Sequence, residues 1–169
     1  MPAPFVPRKV KDFIFYYYSK LVIAPPAGFA GNYKFIVDAY KRLKSGKMQM
    51  SDYDREILHL AQSGDICVYC NAAGVGIEPS EVVPKRLSGP IGIHNMVMVC
   101  DPCRKSKGDQ DLVTWWVNIL ERPLDTLPRA PIGLYLKIAY EVHQINFSLD
   151  ERCEDLGQLF PVCRRKSGT

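Results

Sequence analysis

Apolar positions fall into a helical rhythm in three stretches of this chain and lose it in the middle. Over residues 32 to 47, Tyr33, Phe35, Ile36, Ala39, Tyr40 and Leu43 form one stripe, which predicts an amphipathic helix stopped near Gly46. Ser51-Asp52-Tyr53-Asp54 is close to a capping-box start for a second helix carrying Ile57, Leu58, Leu60 and Ala61 and ending at Gly64-Asp65. A third spans residues 131 to 145, with Ile132, Leu136, Ala139, Tyr140 and Val142 on its inner side. Residues 9 to 23 are different: Phe13-Ile14-Phe15-Tyr16-Tyr17-Tyr18 is apolar on every face, so periodicity does not choose between helix and strand.

Between residues 65 and 108, glycines, prolines and paired cysteines replace the helical pattern. Val82-Val83-Pro84 predicts a strand end, Leu87-Ser88-Gly89-Pro90 a turn, and residues 96 to 99 a second short strand. A helix is expected from Asp101, with Pro102 tolerated in its first turn. Asp109 or Asp111 then caps a helix holding Leu112, Val113, Trp115, Trp116, Ile119 and Leu120, and the aromatic residues here and at Tyr16 to Tyr18 are assigned to packing. Prolines 123 and 128 mark a linker, residues 1 to 8 an extended arm with three prolines, and residues 148 to 169 a frayed tail ending in Arg164-Arg165-Lys166. The organisation predicted is a helical segment over residues 1 to 64, a cysteine-rich core over 65 to 110, helices packing on it over 111 to 147, and the tail.

Composition narrows the class. With 169 residues, 47% hydrophobic and 24% charged, the chain has material for one domain with a real core. A formal charge of +4 and a pI near 8.7 suit a nucleic-acid partner without demanding one. The apolar stretch over residues 13 to 24 carries Lys20 and stops at Pro25-Pro26, too short to span a bilayer, and no signal-peptide pattern follows it. The expectation is a cytoplasmic protein with no membrane partner.

Six cysteines without an export pattern point to metal rather than disulfides. Four lie in Cys67-Val-Tyr-Cys70 and Cys100-Asp-Pro-Cys103, a spacing that lets both thiolates of each turn face one ion. Four sulfurs at about 2.3 Å satisfy tetrahedral zinc with no open position, so the predicted role of Zn is structural. A thioredoxin-type redox pair would need a single motif between strand and helix. Cys153 and Cys163 read as ordinary thiols.

The order of these elements, with Ile77-Glu-Pro-Ser-Glu-Val-Val-Pro-Lys-Arg-Leu-Ser-Gly-Pro, then His94-Asn95, Cys100-x-x-Cys103 and Lys107-Gly108, resembles the HNH endonuclease family across about residues 65 to 110. Asp-Gln-Asp-Leu-Val-Thr-Trp-Trp and Gly133 to His143 extend the likeness toward residue 146. The resemblance implies an α+β fold, a zinc-bound ββα-metal core flanked by N- and C-terminal helices. It also implies a metal-binding acid and a histidine base before the proline, and an Asn or His ligand after the last cysteine. Those positions hold Ser80, Glu81 and Arg104. A serine hydroxyl is a weak ligand for a hard cation, Glu81 is a poorer base than imidazole at neutral pH, and an arginine repels a cation.

Two substitutes for the lost chemistry stand in the sequence: His94, an imidazole on the opposite strand, and Glu78, on the same strand face as Ser80. Glu81 and His94 are therefore the candidate catalytic residues, and Mg or Mn is implied only if cutting survives. Asn95 is assigned a structural role, tying the hairpin through its amide. Lys85, Arg86, Arg104, Lys105 and Lys107 are the candidate phosphate contacts, the last three at the start of the knuckle helix. Three functions follow as expectations: an HNH-like module binding double-stranded DNA with an altered nuclease centre, an active metal-dependent endonuclease, or a zinc-stabilised subunit holding a protein partner or a second copy.

Overall fold

The computed structural model describes residues 4 to 160. Cys163 and the Arg164-Arg165-Lys166 cluster lie outside them. Residues 9 to 23 resolve as helix: α1, Val10–Tyr18, is followed by Ser19–Ile23, where the hydrogen bonds widen to i to i−5, as in Ala24 N–H to the Ser19 carbonyl at 3.0 Å. A serine that bonds back to the i−4 carbonyl loosens and bends a helix, and at this junction Ser19 Oγ donates to the Phe15 carbonyl at 2.8 Å. The all-round apolarity reflects burial, since Val10, Ile14, Tyr18 and Val22 are all within 1% of complete enclosure.

Helix α2, Tyr33–Ser45, starts where Asn32 Oδ1 accepts from the Phe35 N–H at 3.0 Å and ends at Gly46, whose φ of 80° places it in the left-handed region. A single tight turn, Met50–Tyr53, leads into α3, Asp54–Gln62. The cap falls two residues earlier than the sequence suggests: Gln49 N–H donates to Asp52 Oδ2 at 2.9 Å. The long helix α5, Arg129–Ile145, packs against α1 and α3. Its Lys137 pairs with Asp54, its Arg129 with Glu56, and Arg129 Nε also donates to the Val22 carbonyl at 2.6 Å.

The remaining core is a two-stranded antiparallel sheet, β1 Glu78–Glu81 and β2 Met96–Val99, followed by α4, Asp101–Lys107. The fold is thus mixed α+β. Strand β1 stops before Val82 rather than running to Pro84, because the Asn95 side chain takes over the ladder: Oδ1 accepts from Val83 N–H, and Nδ2 donates to the carbonyls of Val83 and Pro90, at 2.8, 2.8 and 2.9 Å. Gly89 closes this turn, and a Cβ there would stand 1.8 Å from the Val83 carbonyl oxygen.

The segment after α5 is not loose up to residue 160. Leu156, Leu159 and Phe160 are buried, Val10 and Lys11 N–H donate to the carbonyls of Glu151 and Leu149, and His143 is fully enclosed. Its Nε2 lies 2.5 Å from the Leu159 carbonyl and its Nδ1 2.7 Å from Ser148 Oγ. A carbonyl only accepts, so Nε2 carries the proton and Nδ1 receives the serine hydroxyl. The N-terminal arm is anchored as well, with Phe5 N–H on Tyr33 Oη at 2.6 Å and its ring 4.6 Å from that of Tyr40. Among the described residues no helix is long and apolar enough to cross a membrane.

Candidate metal centre

The two cysteine turns are brought together by β2. Val68 N–H donates to the Met98 carbonyl at 2.9 Å, which lays the first turn along the strand, while the second turn leaves that strand directly into α4. The first turn closes through Cys67 N–H to the Ala72 carbonyl and Asn71 N–H to the Cys67 carbonyl, with Asn71 at a φ of 61°. Asparagine is one of the few residues that takes this conformation readily. Between the cysteines, Tyr69 turns inward and meets the Trp115 ring edge-on at 5.0 Å, so the cage is bolted to the wide-turned helical segment Thr114–Ile119. Trp115 and Trp116 are 1% and 3% exposed, as core residues are.

The Sγ atoms of Cys67, Cys70, Cys100 and Cys103 all lie within 4.8 Å of one another, and Cys70 and Cys100 approach to 3.6 Å. Tetrahedral ligation with bonds of about 2.3 Å places sulfurs about 3.8 Å apart, so this donor set can hold one metal ion such as zinc. The thiols do not share one environment. Burial opposes ionisation of Cys67, but backbone hydrogen bonds at Cys100, Cys70 and Tyr69 outweigh it and bring that thiol down to about 7. Cys103 is pushed well above the ordinary thiol range, by burial first and then by its cysteine neighbours. A cation gives all four thiolates a common counter-charge. Cys153 is buried elsewhere, its thiol on the Asp155 carbonyl.

The positions singled out by the sequence resemblance are separated by the sheet. Register pairs Glu78 with Val99 and Ser80 with Val97, so these share the face that covers the buried Val97 and Val99. Arg104 of α4 reaches this face: Nη1 donates to Glu78 Oε2 at 3.0 Å and Nη2 to Asp101, while Lys105 holds the other Asp101 oxygen at 2.8 Å. The hydrogen bond from Lys105 foremost, and the positive charges of Lys105 and Arg104, hold the Asp101 carboxyl below its usual range. Glu81 pairs with Met96 and lies on the opposite face with Pro79 and Met98. His94 is exposed on the loop before β2. No second group of three or more His, Cys, Asp or Glu side chains gathers within ligating distance among the described residues.

The five candidate phosphate contacts fare unequally. Lys85 and Lys105 are exposed; Arg86 is exposed but donates to the Asp109 carbonyl at 2.6 Å and pairs with its carboxylate at 3.3 Å. Lys107 is a correction: it is 2% exposed, with Nζ under β1 at 3.4 Å from the Glu81 carbonyl, and cannot reach a phosphate backbone. Burial lowers it from 10.5 to about 8, partly offset by Asp111 and Glu81. Asp111 in turn accepts from Tyr135 Oη at 2.7 Å and from Thr114 N–H at 3.0 Å. The Asp101 pairs of Arg104 and Lys105 were legible in Asp101-x-x-Arg104-Lys105, the three- and four-residue spacing of helical ion pairs, whereas the Glu78 pair joins different elements. The roles of Tyr69 and Asn71 carry no such sequence signal.

No family model, curated protein or solved structure matches this chain.

Proposed function

We propose that the chain is an HNH-like ββα module, stapled by zinc, that holds nucleic acid, double-stranded DNA foremost, without cutting it by the metal-dependent route. The observation that carries this reading is Arg104, seated between Glu78 and Asp101 where the family would place its cation. The guanidinium already uses Glu78, the substitute acid, together with Asp101 beside it. Two unit charges at ~4 Å and an effective dielectric of ~20 interact by about 4 kcal/mol, and a divalent ion roughly doubles that repulsion. Glu81, at the position of the family's base, lies on the opposite face of the sheet and does not join them. Lys85, Lys105 and Arg86 remain on the exposed side of the knuckle as phosphate contacts, which neutralise the backbone and release counterions.

Supercoiled plasmid incubated with Mg²⁺, Mn²⁺ or Ni²⁺ across neutral and alkaline pH is expected to stay supercoiled, while duplex DNA is retained and released by salt. Replacing Lys85 and Lys105 by alanine should flatten the dependence of log K on log salt by nearly one unit per lysine. Nicking that Glu81→Ala abolishes would replace this reading with the active endonuclease, and absence of DNA binding at low salt would end it.

A further inference from the structure

The face of the hairpin turned away from Arg104 forms a groove of about 590 Å³. Pro79 and Glu81 of β1 and Met96 and Met98 of β2 make its floor, Ile91 and Ile93 its wall, and Gln62 at the end of α3 its rim. Ile91 is 90% exposed and Ile93 57%. Exposed isoleucines beside two methionines, whose flexible thioethers adapt to varied shapes, describe an apolar surface that is costly to leave in water. Gln62 Nε2 donates to the Ile93 carbonyl at 3.2 Å and fixes the wall against α3.

Within this apolar lining sits one charged residue, Glu81, half-buried. No hydrogen bond or ion pair within the described residues engages its carboxylate; Lys107, on the far side of β1, bonds to its backbone carbonyl and attracts the carboxylate through space without touching it. An occupant that covers the groove strips water from that carboxylate and needs to offer it a polar partner, a cation best of all. A purely apolar segment fails this requirement. A second copy docked about a two-fold axis fails it too, because the same patch would face itself and its lining contains no lysine or arginine. A groove of about 590 Å³ holds a handful of side chains, which a short segment supplies. Nucleic acid is disfavoured by the carboxylate and the absence of any lining cation.

We propose that this groove docks a short segment of a partner protein that presents one lysine or arginine between aliphatic side chains, the cation meeting Glu81 and the aliphatic groups covering Ile91, Ile93, Met96 and Met98. The site is independent of the DNA-holding reading and uses the opposite face of the hairpin.

The test is to pan random short peptides displayed on phage against the full, metal-loaded chain and measure selected synthetic peptides by fluorescence anisotropy. Recovered sequences are expected to carry Lys or Arg flanked by Leu, Ile or Val. Their affinity should fall about tenfold or more with Glu81→Gln and with Ile93→Asp, and panning against Glu81→Lys should select acidic residues instead. Metal content and circular dichroism of each variant establish that it is folded; both positions are partly exposed, and should a variant fail that check, Ile91→Asp takes its place. Peptides without a basic consensus, a consensus unchanged by Glu81→Lys, or no enrichment over background would overturn the proposal. So would concentration-dependent dimerisation abolished by Ile91→Asp, which assigns the groove to a second copy, or displacement of the peptide by duplex DNA.

Discussion

The cysteine cage and the hairpin face beside it are built from the same short stretch of chain, and of the two only the cage presents a set of four converging donors. Four thiols converge within 4.8 Å, whereas the neighbouring positions offer a neutral hydroxyl at Ser80 and a guanidinium at Arg104 already occupied by Glu78 and Asp101. The contrast teaches that a scaffold and the chemistry it once suggests are separable. The four thiols join the hairpin to the helix independently of what the neighbouring face presents, so an ion pair on that face leaves the donor set intact.

The largest expected effect breaks the cage itself. Structural zinc contributes about 10 kcal/mol or more to folding of small metal-bound units, so Cys67→Ser with Cys100→Ser, or chelation, should collapse residues 65 to 108. Loss of near-ultraviolet dichroism from Tyr69 and Trp115, which touch at 5.0 Å, reads that collapse directly. Next come substitutions in the frame that presents the face. Gly89→Ala must move the backbone of Val83, and Asn95→Ala orphans two buried groups of Val83, at about 1–3 kcal/mol each, and the part-buried Pro90 carbonyl, so both should cost several kcal/mol in urea unfolding.

A smaller effect sharpens the comparison through pH. Lys107 titrates at about 8 in the fold against 10.5 when unfolded, so between those values the unfolded chain binds more protons and stability rises with pH. The penalty is constant below about 8 and gone above 10.5. Lys107→Met removes it, so the stability difference between variant and wild type should favour the variant at neutral pH and shrink steadily toward pH 10. A difference that stays flat over that window would show the amine to be hydrated. Smallest is Arg104→Asn: its ion pairs lie at the surface, where such pairs contribute at most about 1 kcal/mol, so thermal unfolding should shift by only a few degrees.

Periodicity made the outer helices legible, and two Cys-x-x-Cys motifs made the cage legible, because both signals are local. The hairpin was legible as two short strands, but not where β1 ends, since that depends on a side chain twelve residues away, Asn95, replacing the ladder at Val83. Burial of Lys107 depends on how α4 seats under β1, and its polar neighbours in sequence suggested solvent. Residues 148 to 160 are too short and polar to show a pattern. Their order comes from His143 gripping the Leu159 carbonyl and from backbone bonds to α1, both tertiary contacts. The groove beside Glu81 was likewise hidden, because Ile91 and Ile93 gain their significance only from which face of the sheet they flank.

The claim on which everything else rests is that the four thiols close around a single ion. Elemental analysis of the purified chain by plasma mass spectrometry, with protein quantified by amino-acid analysis, should find one zinc per chain, and none in the Cys67→Ser, Cys100→Ser variant. A well-folded wild-type protein with no stoichiometric metal, or one whose metal survives the double substitution, would contradict the account.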